Sequence, residues 1–70
     1  MNWIVYILQC NDNTFYTGIT NNLKKRLYVH NQGKGAKYTK GKRPLKLVYK
    51  EECLNRSEAS KREYFIKLLS

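Results

Sequence analysis

Proline occurs once in this chain, tryptophan once, histidine once and cysteine twice. Each scarcity excludes something. Two thiols, Cys10 and Cys53, are too few for a disulfide framework, and their separation fits no zinc-binding spacing. Free thiols in an otherwise ordinary chain point to a reducing, cytoplasmic setting. No apolar run approaches the roughly 20 residues that a bilayer requires, and the N-terminal MNWIVYILQC lacks the basic region of a signal peptide. The reading therefore includes no membrane. Repeats, low-complexity tracts and linkers are also missing, so residues 1–70 read as one small domain. A chain of this size buries only about 60% of its unfolded surface.

Acidic residues are the most telling shortage. Five carboxylates stand against fourteen Lys and Arg, a formal charge of +9. Between Lys24 and Lys50 lie ten of those bases and none of the acids. Evenly spread charge would suit a merely soluble protein. Concentrated charge calls for an anionic partner, most often nucleic acid.

The apolar run from Trp3 to Cys10 reads as a strand buried on both faces. Asn11, Asp12 and Asn13 form a turn cluster, and Thr14 to Thr20 reads as the return strand of a hairpin. A loop of odd length centred on Asp12 sets Tyr6 opposite Gly18 and residue 8 opposite Tyr16. Tyr6, Tyr16 and Gly18 then share one sheet face; a two-residue loop would part the two tyrosines. Gly18 leaves room there for a ligand or another backbone.

Thr20 or Asn21 is expected to cap a helix running to about Asn31. Leu23 and Leu27 define its apolar stripe, Arg26 and His30 flank that stripe one turn apart, and Lys24 and Lys25 point away. Gly33 and Gly35 end it. Residues 33–44 read as a loop with a short helical turn around Tyr38. Leu45 to Glu51 reads as a third strand, with Leu45, Leu47 and Tyr49 alternating against Lys46 and Lys50. Asn55 with Glu58 resembles a capping box opening a helix to about Leu68, with Ala59, Ile66 and Leu69 facing inward and Glu63 at the border of the buried stripe. The order β-β-α-β-α implies a small three-stranded antiparallel sheet flanked by helices, an α/β (α+β) fold.

Five polar residues then fall around one point: Tyr6, Tyr16, Arg26, His30 and Glu63. A strand tyrosine is usually an amphipathic filler, but two on one face beside a glycine suit a site. A phenol titrates near 10, so it serves as a base only where positive charge lowers that value. A guanidinium matches a phosphate with paired donors, and an imidazole one turn away can donate to a phosphate oxygen or shuttle a proton. Glu63 can pair with Lys67 one turn on; equally, one carboxylate with several waters is how Mg²⁺ is often held. Lys34, Lys37, Lys40, Lys42 and Arg43 form a basic loop suited to a phosphate backbone, with Tyr38 available to stack on a base.

These residues resemble the GIY-YIG nuclease family. Ile4-Val5-Tyr6 stands at the first name motif, with Ile4 in place of its glycine, and Tyr16-Thr17-Gly18 stands at the second. Asn22-Leu23-Lys24-Lys25-Arg26 with His30-Asn31 looks like the family's arginine helix. The stretch from Asn31 to Thr39 looks like the small members related to structure-specific endonuclease subunits. The resemblance implies metal-dependent hydrolysis of one DNA strand, with DNA repair or recombination as the setting. Tyr6 or Tyr16 would act as base, Arg26 and His30 would stabilise the phosphate, and Glu63 would hold one Mg²⁺ or Mn²⁺. Larger relatives carry a separate recognition domain or partner, so a protein partner supplying specificity is implied too. The alternative is a non-catalytic nucleic-acid-binding module or accessory subunit of the same fold.

Overall fold

The computed structural model describes residues 2–69. Trp3–Gln9 is the first strand (β1) and Phe15–Thr20 the second (β2); Leu23–Asn31 is the first helix (α1), Lys46–Cys53 the third strand (β3) and Arg56–Leu68 the second helix (α2). The sheet order is β2-β1-β3, and both pairings are antiparallel. The α/β architecture and element order expected of the sequence are the ones adopted.

The central place of β1 explains its continuous hydrophobicity. Val5 and Tyr6 are neighbours and so point to opposite faces, yet they are 0% and 1% exposed. On one face Tyr6 and Leu8 join Cys10 and Leu45, with Leu23 and Leu27 of α1 packed against them. On the other face lies α2. Its Ala59 is fully buried, its Arg62 pairs with Glu51 at 2.8 Å, and its Arg56 sits over the Trp3 ring. Only six hydrophobic side chains are buried among the described residues. At about 1.5–3 kcal/mol for each large one, the margin is thin, and buried polar contacts weigh heavily.

The hairpin has the odd-loop register. Tyr6 stands opposite Gly18 and Leu8 opposite Tyr16. Cys10 N donates to Thr14 O at 2.8 Å, and Asn13 N to Cys10 O at 3.0 Å. Asn13 takes the left-handed conformation (φ 68°) that Asn tolerates, and the Asp12 carboxylate accepts from both the amide and the hydroxyl of Thr14. Tyr6, Tyr16 and Gly18 therefore project to the α1 side of the sheet.

Four local expectations are corrected. The cap of α1 is Asn22, whose side chain accepts from Lys25 N at 3.2 Å, rather than Thr20 or Asn21. Pairing of Thr20 with Ile4 holds it in β2, and its hydroxyl instead accepts from Asn22 N. β3 begins at Lys46 and runs to Cys53, with an irregularity at Val48 where Ile7 pairs with Tyr49 but Leu8 with Leu47. One extra residue inverts the alternation, so Tyr49 is 41% exposed and Lys50 stands on the Tyr6 side. Leu69 does not face inward: it caps α2 and is 72% exposed. His30, expected at an edge, is fully buried.

Both helices end by rule. Gly33, in the left-handed region (φ 78°), follows the cap Gln32; Gly33 N donates to His30 O and Lys34 N to Val29 O, the paired bonds of a Schellman turn. Asn55 opens α2 by accepting from Glu58 N at 2.9 Å. Replacing Asn55 with Ala should lower stability by about 1 kcal/mol, read as a drop of about 4–8 °C in melting temperature for a domain of this size. An unchanged melting curve would mean the cap bond contributes nothing.

Candidate active site

The site begins with a chain of hydrogen bonds through His30. Tyr6 reaches it from β1: its hydroxyl lies 3.0 Å from His30 Nε2. On the ring's other side, Nδ1 lies 3.0 Å from Thr39 Oγ1, and that hydroxyl donates to the carbonyl of Ala36 at 2.9 Å. A carbonyl only accepts, so the single Thr39 proton is committed to it. Nδ1 must then be the donor to Thr39. Burial, reinforced by the charge of Arg26, holds the imidazole below its ordinary value of 6.5, so the ring is neutral and Nε2 carries a lone pair. The Tyr6 hydroxyl donates to it.

Arg26, one turn before His30 on α1, is half-buried and adjoins both phenols. The neighbouring Tyr6 hydroxyl is the main influence raising the guanidinium above its usual range. Tyr16 packs 5.3 Å from the His30 ring and 6.3 Å from Tyr6, centroid to centroid. Gly18 is required by this crowding: a Cβ there would come within 2.7 Å of the Tyr6 hydroxyl. Arg26 does pull the Tyr6 phenol down, but desolvation is the larger effect and Tyr6 stands above its ordinary value of 10.0, with Tyr16 and Glu63 adding to the rise. Tyr6 is a neutral phenol at neutral pH.

Glu63 comes from α2, near enough for its charge to act on Tyr6. Its carboxylate is 23% exposed and pairs with Lys67 Nζ at 3.1 Å. No group of three or more His, Cys, Asp or Glu side chains gathers among the described residues, which excludes a cage of protein ligands. A lone carboxylate with open coordination suits Mg²⁺ or Mn²⁺, hard ions that keep most of their waters. The donor chemistry fits.

The basic loop divides into two parts. Lys34, Lys37 and Lys40 are exposed. Lys42 and Arg43 have structural partners: Lys42 pairs with Asp12 at 3.4 Å and lies 3.8 Å over the Tyr38 ring, while Arg43 donates to Asn31 O at 3.3 Å. Tyr38 stacks on Tyr16 at 6.2 Å and is 45% exposed. Beside this pair opens an apolar groove of about 730 Å³, lined by Phe15, Tyr16, Tyr38, Val48, Ile66 and Lys67 among others. Sequence reasoning missed Thr39, whose only signal was a polar residue inside a loop read as basic surface.

The depressed His30 value makes stability depend on pH. The unfolded chain takes up a proton near pH 6.5 while the folded ring resists, so the unfolded state binds more protons below that point and stability falls as pH drops through the window. The loss should appear before the carboxylates titrate, and His30→Asn should flatten it. A His30 ring-proton resonance with its midpoint at or above 6.5 would contradict this account.

Relatives match almost the whole chain. The UPF0213 protein DP2720 of Desulfotalea psychrophila is 61% identical over 69 residues, which are 97% of this chain but 63% of that protein, so the chain spans less than two thirds of its length. Two solution NMR structures share the fold over the whole chain. One is the UPF0213 protein BH0048 from Bacillus halodurans, 46% identical with a TM-score of 0.61 over 74% of that chain. The other is the protein EF2693 from E. faecalis, 40% identical with a TM-score of 0.68 over 75% of its chain. The sequence profile of the GIY-YIG catalytic domain matches residues 2–70, so the chain belongs to the GIY-YIG family.

Proposed function

We propose that this domain, residues 1–70, is a metal-dependent endonuclease hydrolysing a DNA phosphodiester. The observation that carries the reading is the buried relay from Tyr6 to His30 with Arg26 beside it. A neutral phenol is a poor base alone. Here the Tyr6 oxygen can take a proton from water while its own proton passes to Nε2, so the imidazole supplies the basicity. The own proton of Tyr16 has no such acceptor in the relay, which ranks Tyr6 first. At 1% exposure, Tyr6 admits at most a water to its oxygen and leaves the phosphate to Arg26 and Tyr16.

Water then attacks phosphorus, an O–P bond forms and the bond to the 3′-oxygen breaks. The water proton goes to Tyr6, the Tyr6 proton to His30, and the departing oxygen is protonated from solvent. Arg26 donates to the non-bridging oxygens, where charge grows in the transition state. Glu63 is the residue that would hold Mg²⁺ or Mn²⁺, whose chemistry there is neutralisation of the departing oxygen. Lys34, Lys37 and Lys40 would track the backbone, with Lys42 and Arg43 shaping the loop, and a base would lie in the aromatic groove beside Tyr38. The fitting setting is DNA repair or recombination in the cytoplasm, with a partner protein adding specificity.

The test is cleavage of single-stranded, flapped and branched DNA with Mg²⁺, with Mn²⁺ and with chelator. Glu63→Gln should reduce the rate by about 10³-fold or more while DNA affinity stays nearly intact. Arg26→Ala should lower both, because a guanidinium binds phosphate in ground and transition states alike. If Glu63→Gln cleaves like the parent, the non-catalytic binding module is the better reading.

Binding has its own signature. Affinity should fall with salt at a log–log slope of roughly −3 to −6, for about four to six neutralised phosphates. Salt-independent affinity would refute the electrostatic account.

A further inference from the structure

The loop after α1 does more than present lysines. Its outward side chains Lys34, Lys37 and Lys40 are exposed, but two of its residues turn inward onto the His30 ring. Thr39 is 0% exposed and meets Nδ1 at 3.0 Å. Gly35 lies so close to the same nitrogen that a Cβ on it would overlap the ring. Thr39 itself is anchored within the loop, its hydroxyl donating to Ala36 O and its amide donating to the same carbonyl at 3.0 Å.

We infer that Thr39 is a positioning residue that fixes which nitrogen of His30 carries the proton, and through it the direction of the Tyr6 hydrogen bond. A neutral imidazole has two tautomers of similar energy, and what selects one is the partner of the other nitrogen. An ordinary threonine facing Nδ1 could donate or accept, leaving the tautomer open. This one cannot donate to the ring, because its proton is held by Ala36 O. The proton stays on Nδ1, the lone pair stays on Nε2, and Tyr6 must be the donor across the 3.0 Å gap. With the tautomer reversed, Nε2–H would point at the Tyr6 oxygen and block the transfer on which the proposed hydrolysis depends. The catalytic part of the inference rests on that proposed function; the structural part does not.

The two parts are separable by experiment. The chain has one histidine, so long-range nitrogen–proton correlation spectra of the ring report on His30 alone. In the free protein at neutral pH they should show protonated Nδ1 and bare Nε2. Thr39→Val removes the hydroxyl at nearly constant shape and should move the ring toward a mixture of tautomers or toward protonated Nε2. Cleavage should slow by at least about tenfold, since a mis-set imidazole tautomer can cost up to about 10⁴-fold elsewhere, with DNA affinity unchanged. Thr39→Ser should restore both spectrum and rate. Protonated Nε2 in the parent overturns the inference even if Thr39→Val fails to fold, and so does an unaltered tautomer in Thr39→Val. The predicted tautomer in a protein that cleaves no DNA would sustain the assignment to Thr39 and sink the nuclease reading instead.

Discussion

The hydrogen bond between Tyr6 and His30 is the contact on which the rest of this structure turns. It joins the central strand to α1 within a core of few residues, and both side chains are essentially fully buried. An unpaired phenol or imidazole at that depth would cost about 1–3 kcal/mol each, a large share of the stability of a domain this small. The bond exists only because other choices agree with it. The odd hairpin loop turns Tyr6 to the α1 side, the helical spacing stacks His30 over Arg26, Gly18 clears the space around the hydroxyl, and the loop returns to close the ring with Thr39. No buried side-chain polar atom among the described residues lacks a partner. The same network thus serves folding and forms the candidate site.

Electrostatics divides the molecule by function. Glu51 and Glu58 pair with Arg62 and Lys61 around α2, and Asp12 pairs with Lys42 at the hairpin tip. Exposed pairs of this kind contribute little; their effect is to occupy the carboxylates away from the phenols. The face carrying Arg26 and the exposed loop lysines keeps its positive character. Glu63 is the one acid whose charge acts on Tyr6, and a single carboxylate in a basic surround is the balance that a phosphate and a divalent ion together require.

Much of this was legible in sequence because it depends on local periodicity. The Asn-Asp-Asn cluster implied the odd loop and hence the face shared by Tyr6, Tyr16 and Gly18, and Gly33 marked the end of α1. What sequence could not reveal depended on the third dimension. The cap slipped to Asn22 because pairing with Ile4 holds Thr20 in the strand. The irregularity at Val48 inverted the outer strand, since nothing in a run of Leu, Val and Tyr announces an extra residue. Sequence named the condition for a basic phenol, positive charge nearby, but the direction at Tyr6 depends on burial against charge, and only packing reveals which is larger. Thr39 looked like loop filler until His30 lay against it.

The central claim is that a neutral Tyr6, relayed to His30, accepts the proton of the attacking water. Single-turnover cleavage by Tyr6→Phe tests it most directly, because the change removes one oxygen and keeps the ring that fills the core. The account predicts a rate lower by about 10²–10⁴-fold, with DNA affinity close to that of the parent and a lowered melting temperature, because His30 Nε2 loses its buried partner. A Tyr6→Phe variant that folds and cleaves at the parental rate would contradict it.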